Sequence, residues 1–107
     1  MEKRINIAKD FSIVLGGRRK EFGEYSGQEF YEDQLLPAFQ SAVQENEKLY
    51  IELDGTKGYP SSFLDQSFGQ LAREKGVDLV KSTIIFETKV FQWIVDYIKV
   101  EIWGKTK

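Results

Sequence analysis

The residues of this chain whose types could carry chemistry are concentrated between Leu53 and Gly76. Asp54 and Asp65 supply two carboxylates there, the groups that acid–base catalysis would use in a chain without histidine. Their positions explain them more simply. Asp54 sits with Gly55 where a strand ends, and Asp65 follows Ser62 at the Ser-x-x-Asp spacing of a helix cap. No nucleophile, base and orienting group complete a constellation around either carboxylate, so no turnover is expected. Ser62 is the expected N-cap, while Ser61 precedes the helix and is expected on the surface. Phe63 falls off the apolar stripe of its own helix, and either packs on Tyr59 inside the loop or stands exposed as an aromatic contact for a partner. A second candidate, Gly16-Gly17-Arg18-Arg19-Lys20, combines flexible glycine amides with three cations. It reads either as a turn with solvated basic residues or as an anion contact through Arg18, Arg19 and Lys20. The Gly-Lys-Ser/Thr of a P-loop is missing.

The elements that must position these residues follow from periodicity. Lys48 to Leu53 alternates, with Leu49, Ile51 and Leu53 on one side and Tyr50 and Glu52 on the other, which predicts a strand that Asp54-Gly55 ends. Gly55 and Gly58 permit a sharp bend, and Pro60 pushes Tyr59 away from helical geometry. Leu64, Phe68, Leu71 and Ala72 then share one face at helical spacing. Gly76, after Arg73 and Lys75, stops that helix, which places it over 63–75.

Earlier in the chain, Arg4 to Ala8 predicts a first strand with Ile5 and Ile7 on one face. Phe11 to Leu15 and Arg18 to Phe22 either form a hairpin closed by Gly16-Gly17, or Arg18 to Phe22 alone pairs with the first strand. Ser26 and Glu29 form a capping box for a long helix that ends near Glu45. Its stripe is Tyr31, Leu35, Ala38, Phe39 and Ala42, with Pro37 on the far side and Asn46 as the stop. After a short linker beyond Gly76, Lys81 to Glu87 predicts the last strand. Thr88 caps a final helix to about Trp103, unless Val100 to Trp103 is a terminal strand. Phe91, Ile94, Val95, Ile98 and Ile102 form the core stripe of that helix, and Val90, Trp93, Tyr97 and Val100 form a second one. Two stripes exceed what a helix lying on a monomer buries, so a homodimer or other docking through Trp93 and Tyr97 is expected.

Composition narrows the classes of function. The chain has 107 residues, 41% hydrophobic and 30% charged, which predicts one globular domain over residues 1–107, with 103–107 as a frayed tail. Zero Cys and zero His remove disulfides, thiol nucleophiles, imidazole chemistry and most zinc sites, so neither a metal nor a cofactor is expected. Fifteen basic and seventeen acidic residues give a net charge of −2, which argues against nucleic acid as a partner. No apolar run approaches the ~20 residues that span a bilayer, and Met1 to Arg4 leads into Ile5 without a leader's apolar stretch, so a cytoplasmic location away from membranes is expected. The element order predicts a single-domain α/β sandwich, a mixed sheet of about four strands with three main helices packed on it.

The run Gly58-Tyr-x-Ser-Ser-Phe-Leu-x-x-x-Phe-Gly-x-Leu71 resembles the signature of a bacterial STAS-like domain family of unknown function, related to the STAS modules of anti-sigma factor antagonists. Asp10-Phe11-Ser12, Gly16-Gly17-Arg18, Ser26 to Phe30, Leu35 to Phe39 and Asp54-Gly55-Thr56 agree in order, so the resemblance spans roughly 5–76. It implies a non-catalytic regulatory module that docks a protein partner through the 58–66 loop and helix start, with Tyr59, Phe63 and Gln66 as docking residues. In STAS modules a serine at this junction is phosphorylated by a partner kinase. The resemblance therefore implies phosphorylation at Ser61 or Ser62, and a histidine-kinase-like ATPase acting as serine kinase as the partner. This chain departs from the STAS pattern in having Pro60 and Phe63 around the serine pair. The alternative is a small-ligand or nucleotide-binding domain that uses Gly16 to Lys20 and the helix N-terminus at Ser62.

Overall fold

The structure, a computed structural model, describes residues 3–106. Its frame is a sheet of three strands, β1 (Lys3–Asn6), β2 (Leu49–Glu52) and β3 (Ile84–Glu87), in the order β1-β2-β3 and all parallel. Parallel neighbours need long crossovers, and the chain supplies helices for them. A single turn, α1 (Ile7–Asp10), follows β1. The long helix α2 (27–44) leads into β2, and α3 (61–75) with α4 (Val77–Thr83) leads into β3. The last helix, α5 (92–102), ends in a 3-10 turn at Trp103–Lys105.

Register fixes which face of the sheet is covered. Ile5, Ile51 and Phe86 lie side by side, as do Lys3, Leu49 and Ile84, and the apolar members of both rows turn toward the helices. The intervening rows, Arg4-Tyr50-Ile85 and Asn6-Glu52-Glu87, form the other face, which no helix covers among the described residues. Arg4 stacks over the Tyr50 ring at 5.1 Å and pairs with Glu87 and, at 3.6 Å, with Glu52.

The core is a chain of rings. Phe30 of α2 meets Phe11 at 5.3 Å, Phe63 at 5.6 Å and Phe68 at 6.0 Å; Phe68 meets Phe86 at 5.3 Å, and Phe86 meets Trp103 at 5.6 Å. The first loop, two helices, the edge strand and the last helix thus share one aromatic seam. Each such contact contributes about 0.5–1.5 kcal/mol beyond the area it buries. The seam needs α2 and α3 to approach closely, and Gly27 allows it: a Cβ there would come 2.6 Å from the Phe63 carbonyl oxygen.

Several expectations hold and several are corrected. Ser26 caps α2, its hydroxyl accepting from Glu29 N–H at 3.1 Å, and Asn46 ends it with φ 55°, the Glu47 amide reaching back to the Ala42 carbonyl at 2.8 Å. Pro37 lies on the exposed side, directly after a π-turn over Tyr31–Leu35, where the wider turn accommodates a residue without an N–H. The last helix continues through 100–103 and is not a strand there.

A four-stranded mixed sheet is not present among the described residues. The first strand stops at Asn6, whose side chain accepts from Lys9 N–H at 3.1 Å, while Asp10 accepts from Asn6 N–H at 2.8 Å; this reciprocal cap turns Ile7–Asp10 into helix. Residues 11–22 form no hairpin. Gly16, Gly17 and Arg18 run beside Tyr25 to Gln28 instead, with Gly27 N–H donating to the Gly17 carbonyl at 2.8 Å. The expected linker after Gly76 is α4, which takes the first half of the expected last strand because Val80 and Thr83 find a buried side at helical spacing. Trp103 was expected in a frayed end but is fully buried, its indole N–H donating to the Phe68 carbonyl at 3.1 Å. Lys107 lies outside the described residues.

The crossing of α2 and α3 gives a direct test. Gly27→Ala is expected to lower stability by about 1–3 kcal/mol, because backbone on the facing helix must move to admit one methyl group. Urea unfolding should show a lower midpoint at unchanged slope.

Candidate functional site

The candidate site lies at the carboxyl ends of the parallel strands, where three loops meet the N-terminus of α3. In open α/β sheets this rim is where ligands and partners are usually met. The loops are locked to one another by the groups that end each strand. Leu53 N–H donates to the Glu87 carbonyl at 3.0 Å, extending the β2–β3 ladder by one bond. Asp54 then accepts from Thr88 Oγ1 at 2.5 Å, Lys89 N–H at 2.7 Å and Val90 N–H at 3.4 Å. The Thr88 hydroxyl and the Lys89 amide hold the Asp54 carboxyl below the usual carboxylate range. Thr88 Oγ1 also accepts from Phe91 N–H at 2.8 Å, a bond within the loop; α5 begins after Phe91 without a side-chain cap, so Thr88 is not the N-cap its position suggests.

Tyr59 is a structural residue of this rim. Its hydroxyl donates to the Leu53 carbonyl at 2.6 Å, its ring stands edge-on to Phe91 at 5.1 Å, and burial pushes its phenol up to about 12. Phe63 is also buried, against Phe11 and Phe30 and not against Tyr59. Neither ring is on the surface that a partner could read. Gln66, the third expected docking residue, is half-buried and flanks the α2–α3 crossing, where a Cβ on Gly27 would come 3.0 Å from its own Cβ.

The helix starts two residues earlier than expected. Pro60 occupies the N-cap position with φ −61° and ψ 139°, and α3 begins at Ser61. Proline fixes φ there, and its carbonyl accepts from Leu64 N–H at 3.1 Å, so Ser62 lies inside the first turn and caps nothing. Ser62 is half-buried and Ser61 is exposed. Beside Ser61, Val14, Leu15, Lys57, Gly58, Tyr59 and Pro60 line a shallow cavity of about 370 Å³. Ile13 and Val14 stand exposed at this edge, tied by the bond from Lys57 N–H to the Ile13 carbonyl at 2.9 Å. Sequence reasoning missed them as surface residues because an Ile-Val-Leu run reads as a buried strand. The adjacent Gly16-Gly17 was the available signal that the strand could end early.

The three cations of the second candidate are not brought to one point. Arg18 donates to Asp65 at 2.5 Å, and Lys20 pairs with Glu32 at 2.6 Å. Arg19 is exposed and makes no ion pair among the described residues. Asp65 also accepts from Arg73 at 3.1 Å, and Arg73 in turn donates to the Asp65 carbonyl and to Gln70, both at 3.2 Å. Partial burial raises the Asp65 carboxyl, the bonds from Arg18 and Arg73 outweigh it, and the net direction is down. Asp54 and Asp65 are therefore both engaged in holding backbone and helix together. Among the described residues no group of three or more His, Cys, Asp or Glu side chains could hold a metal ion, and no helix is long and apolar enough to cross a membrane. On α5, Trp93 is 65% exposed and Tyr97 is half-buried.

A parallel three-stranded sheet with helices on one face, and a helix opening at the strand ends, define a small α/β domain. The family comparison agrees. Residues 26–88 match the family described as a STAS-like domain of unknown function (DUF4325), and the chain belongs to that family. A search of the curated proteins found no match, and a search of solved structures found none.

The Asp65 network predicts a pH signature. Because the folded carboxyl titrates below its unfolded value of about 3.9, its contribution is complete above that pH and is lost as pH falls through the folded value. Asp65→Asn is expected to cost about 0.5–1 kcal/mol at pH 7, the groups being more than a third exposed and screened. Urea midpoints for wild type and variant should converge below pH ~4.

Proposed function

We propose that this chain is a non-catalytic regulatory module that binds a protein partner at the rim around Ser61 and is switched by phosphorylation of that serine. The observation that carries the reading is the placement of Ser61. It is exposed at the first position of a 15-residue helix (61–75) that has no side-chain cap. A phosphate there would meet unsatisfied amides and the positive end of the helix dipole, worth about 0.3–1 kcal/mol, with Lys57 in the preceding loop. One turn further on, Asp65 already has two guanidinium partners, which blunts its repulsion of that phosphate. Such a modification leaves the fold intact and changes the sign of a surface that a partner reads. Ser61 is the better acceptor of the two serines because Ser62 is half-buried. The STAS relationship supports a histidine-kinase-like ATPase acting as serine kinase as the partner, and the absence of Cys and His supports a domain without turnover. A cytoplasmic setting fits such a partner.

The alternative, an anion or nucleotide site at Gly16 to Lys20 and the start of α3, is less supported, since Arg18 and Lys20 are each drawn to a carboxylate of the protein itself.

Phosphosite mapping of the protein from its native cells is expected to find Ser61 modified. Ser61→Asp should fold with a midpoint within about 1 kcal/mol of wild type and lose the partner recovered by wild type. Absence of phosphate on both serines, with Ser61→Asp and Ser61→Ala binding as wild type does, would exclude the switch. In thermal-shift assays nucleotides are expected to leave the midpoint unchanged; the alternative requires a rise, about 2.7 kcal/mol for a ligand at 100 times its dissociation constant.

A further inference from the structure

The side of the molecule formed by β3 and α5 is built differently from the rest of the surface. α3 touches α2 at Gly27 and α5 at Gly69, where a Cβ would come 3.1 Å from Ile102, so the helix layer runs α2, α3, α5. The sheet beneath runs β1-β2-β3, and Trp103 of the last turn lies on Phe86 of β3. The edge strand and the outermost helix therefore end on the same side. The buried stripe of α5, Ile94, Val95, Ile98 and Ile102, faces inward, while Trp93 and Val100 remain 65% and 62% exposed. Val90 ahead of the helix is 64% exposed and Ile85 on β3 is 38% exposed. A helix apolar on opposite flanks is normally covered on both.

The two edges of the sheet are also unequal. β1 carries Lys3, paired with Glu45 at 2.7 Å, and Arg4, paired with Glu52 and Glu87; charges of this kind deter strands from pairing. β3 reads Ile84-Ile85-Phe86-Glu87, without Lys, Pro or Gly. Since Leu53 N–H bonds to the Glu87 carbonyl, Ile85 and Glu87 direct their backbone groups to β2, and by alternation Ile84 and Phe86 direct theirs outward. The Ile84 amide is taken by the Val80 carbonyl, which leaves the Phe86 N–H and two carbonyls on the outer edge.

We propose that this side is a homodimer interface. In it β3 pairs antiparallel with β3 of a second copy about a two-fold axis at Ile85, and the two α5 helices pack through Trp93 and Val100. Phe86 N–H of each copy then donates to the Ile84 carbonyl of the other, and the two Ile85 side chains face each other as a cross-strand pair. The exposed apolar groups on this side supply roughly half of the ~800 Å² that a standard interface takes from each partner, and the strand edge and flanking chains supply the remainder. Lys89, Asp96 and Lys99 flank the apolar stripe with both signs of charge, so a copy of the chain is not repelled, whereas a partner selected by charge would meet a face of one sign. The proposal does not depend on modification of Ser61.

Sedimentation of the full chain is expected to show a dimer. Trp93→Ala should raise its dissociation constant at least about 30-fold, as removal of a central interface ring does, with an unchanged circular dichroism spectrum. The chain has no cysteine, so Ile85→Cys introduces a single thiol. Residues opposed in a non-hydrogen-bonded antiparallel pair lie about 4.5 Å apart at Cα, within disulfide reach, and mild oxidation should link two copies. A wild-type protein that stays monomeric at its highest soluble concentration overturns the proposal, as does a dimer indifferent to Trp93→Ala. A dimer that weakens with Trp93→Ala but gives no Ile85→Cys cross-link refutes the strand pairing.

Discussion

The structure depends on the contact between Phe30 and Phe63 across the crossing of α2 and α3. Phe30 is the junction of the aromatic seam, touching Phe11, Phe63 and Phe68, and it reaches them because Gly27, three residues earlier, lets the Phe63 backbone come close. Around that contact the α2 and α3 surfaces add a second tie, from the Tyr31 hydroxyl to Glu74 at 2.7 Å. Burial, and then the bond to Glu74, raise the Tyr31 phenol well above its usual range, so the tie persists across ordinary pH. The position of α3 is in turn what presents Ser61 at the rim. A core contact and a surface serine are thus linked through one helix.

The loops of the rim are tied together for a related reason. Its polar groups are spent on holding loops: Asp54 gathers the turn after β3, the Tyr59 hydroxyl satisfies the Leu53 carbonyl, and Asp65 pins Arg18 of the first loop to α3. Carboxylates that look available for chemistry in the sequence are fully engaged as acceptors. What remains exposed is a serine on an uncapped helix end, the lysines Lys57 and Lys89, and the apolar groups Ile13, Val14 and Val90.

Single-sided coverage gives the fold its other character. Parallel sheets are usually covered on both faces. Here the Arg4-Tyr50-Ile85 and Asn6-Glu52-Glu87 rows answer with ion pairs and a cation–π contact, which tolerate water on the open face. The β3 edge and the outer flank of α5 have no such answer and stay apolar. The difference between these surfaces, and not the amount of apolar area alone, separates the solvated face from the one proposed as the dimer interface.

Much of the architecture was legible in the sequence, because the deciding interactions are short-range. Ser26 with Glu29, Asn46 and Gly76 act within one turn of their own position, and the stripes of α2, α3 and α5 are periodic over many residues, so those helices follow from the chain alone. The family signature around Gly58 to Leu71 was legible for the same reason. Tertiary structure decided what the local patterns left open. The start of α3 moved from residue 63 to Ser61 because Pro60, and not Ser62, takes the N-cap position. Phe63 was drawn inward by two rings from distant segments, and Arg18 and Lys20 were claimed by carboxylates on two different helices. The run Ile13-Val14-Leu15 has strand propensity but no neighbour to pair with once 16–18 lies beside 25–28. Propensity is a property of a few residues, whereas burial, ion pairing and strand pairing require partners that only the folded chain brings within a few ångströms.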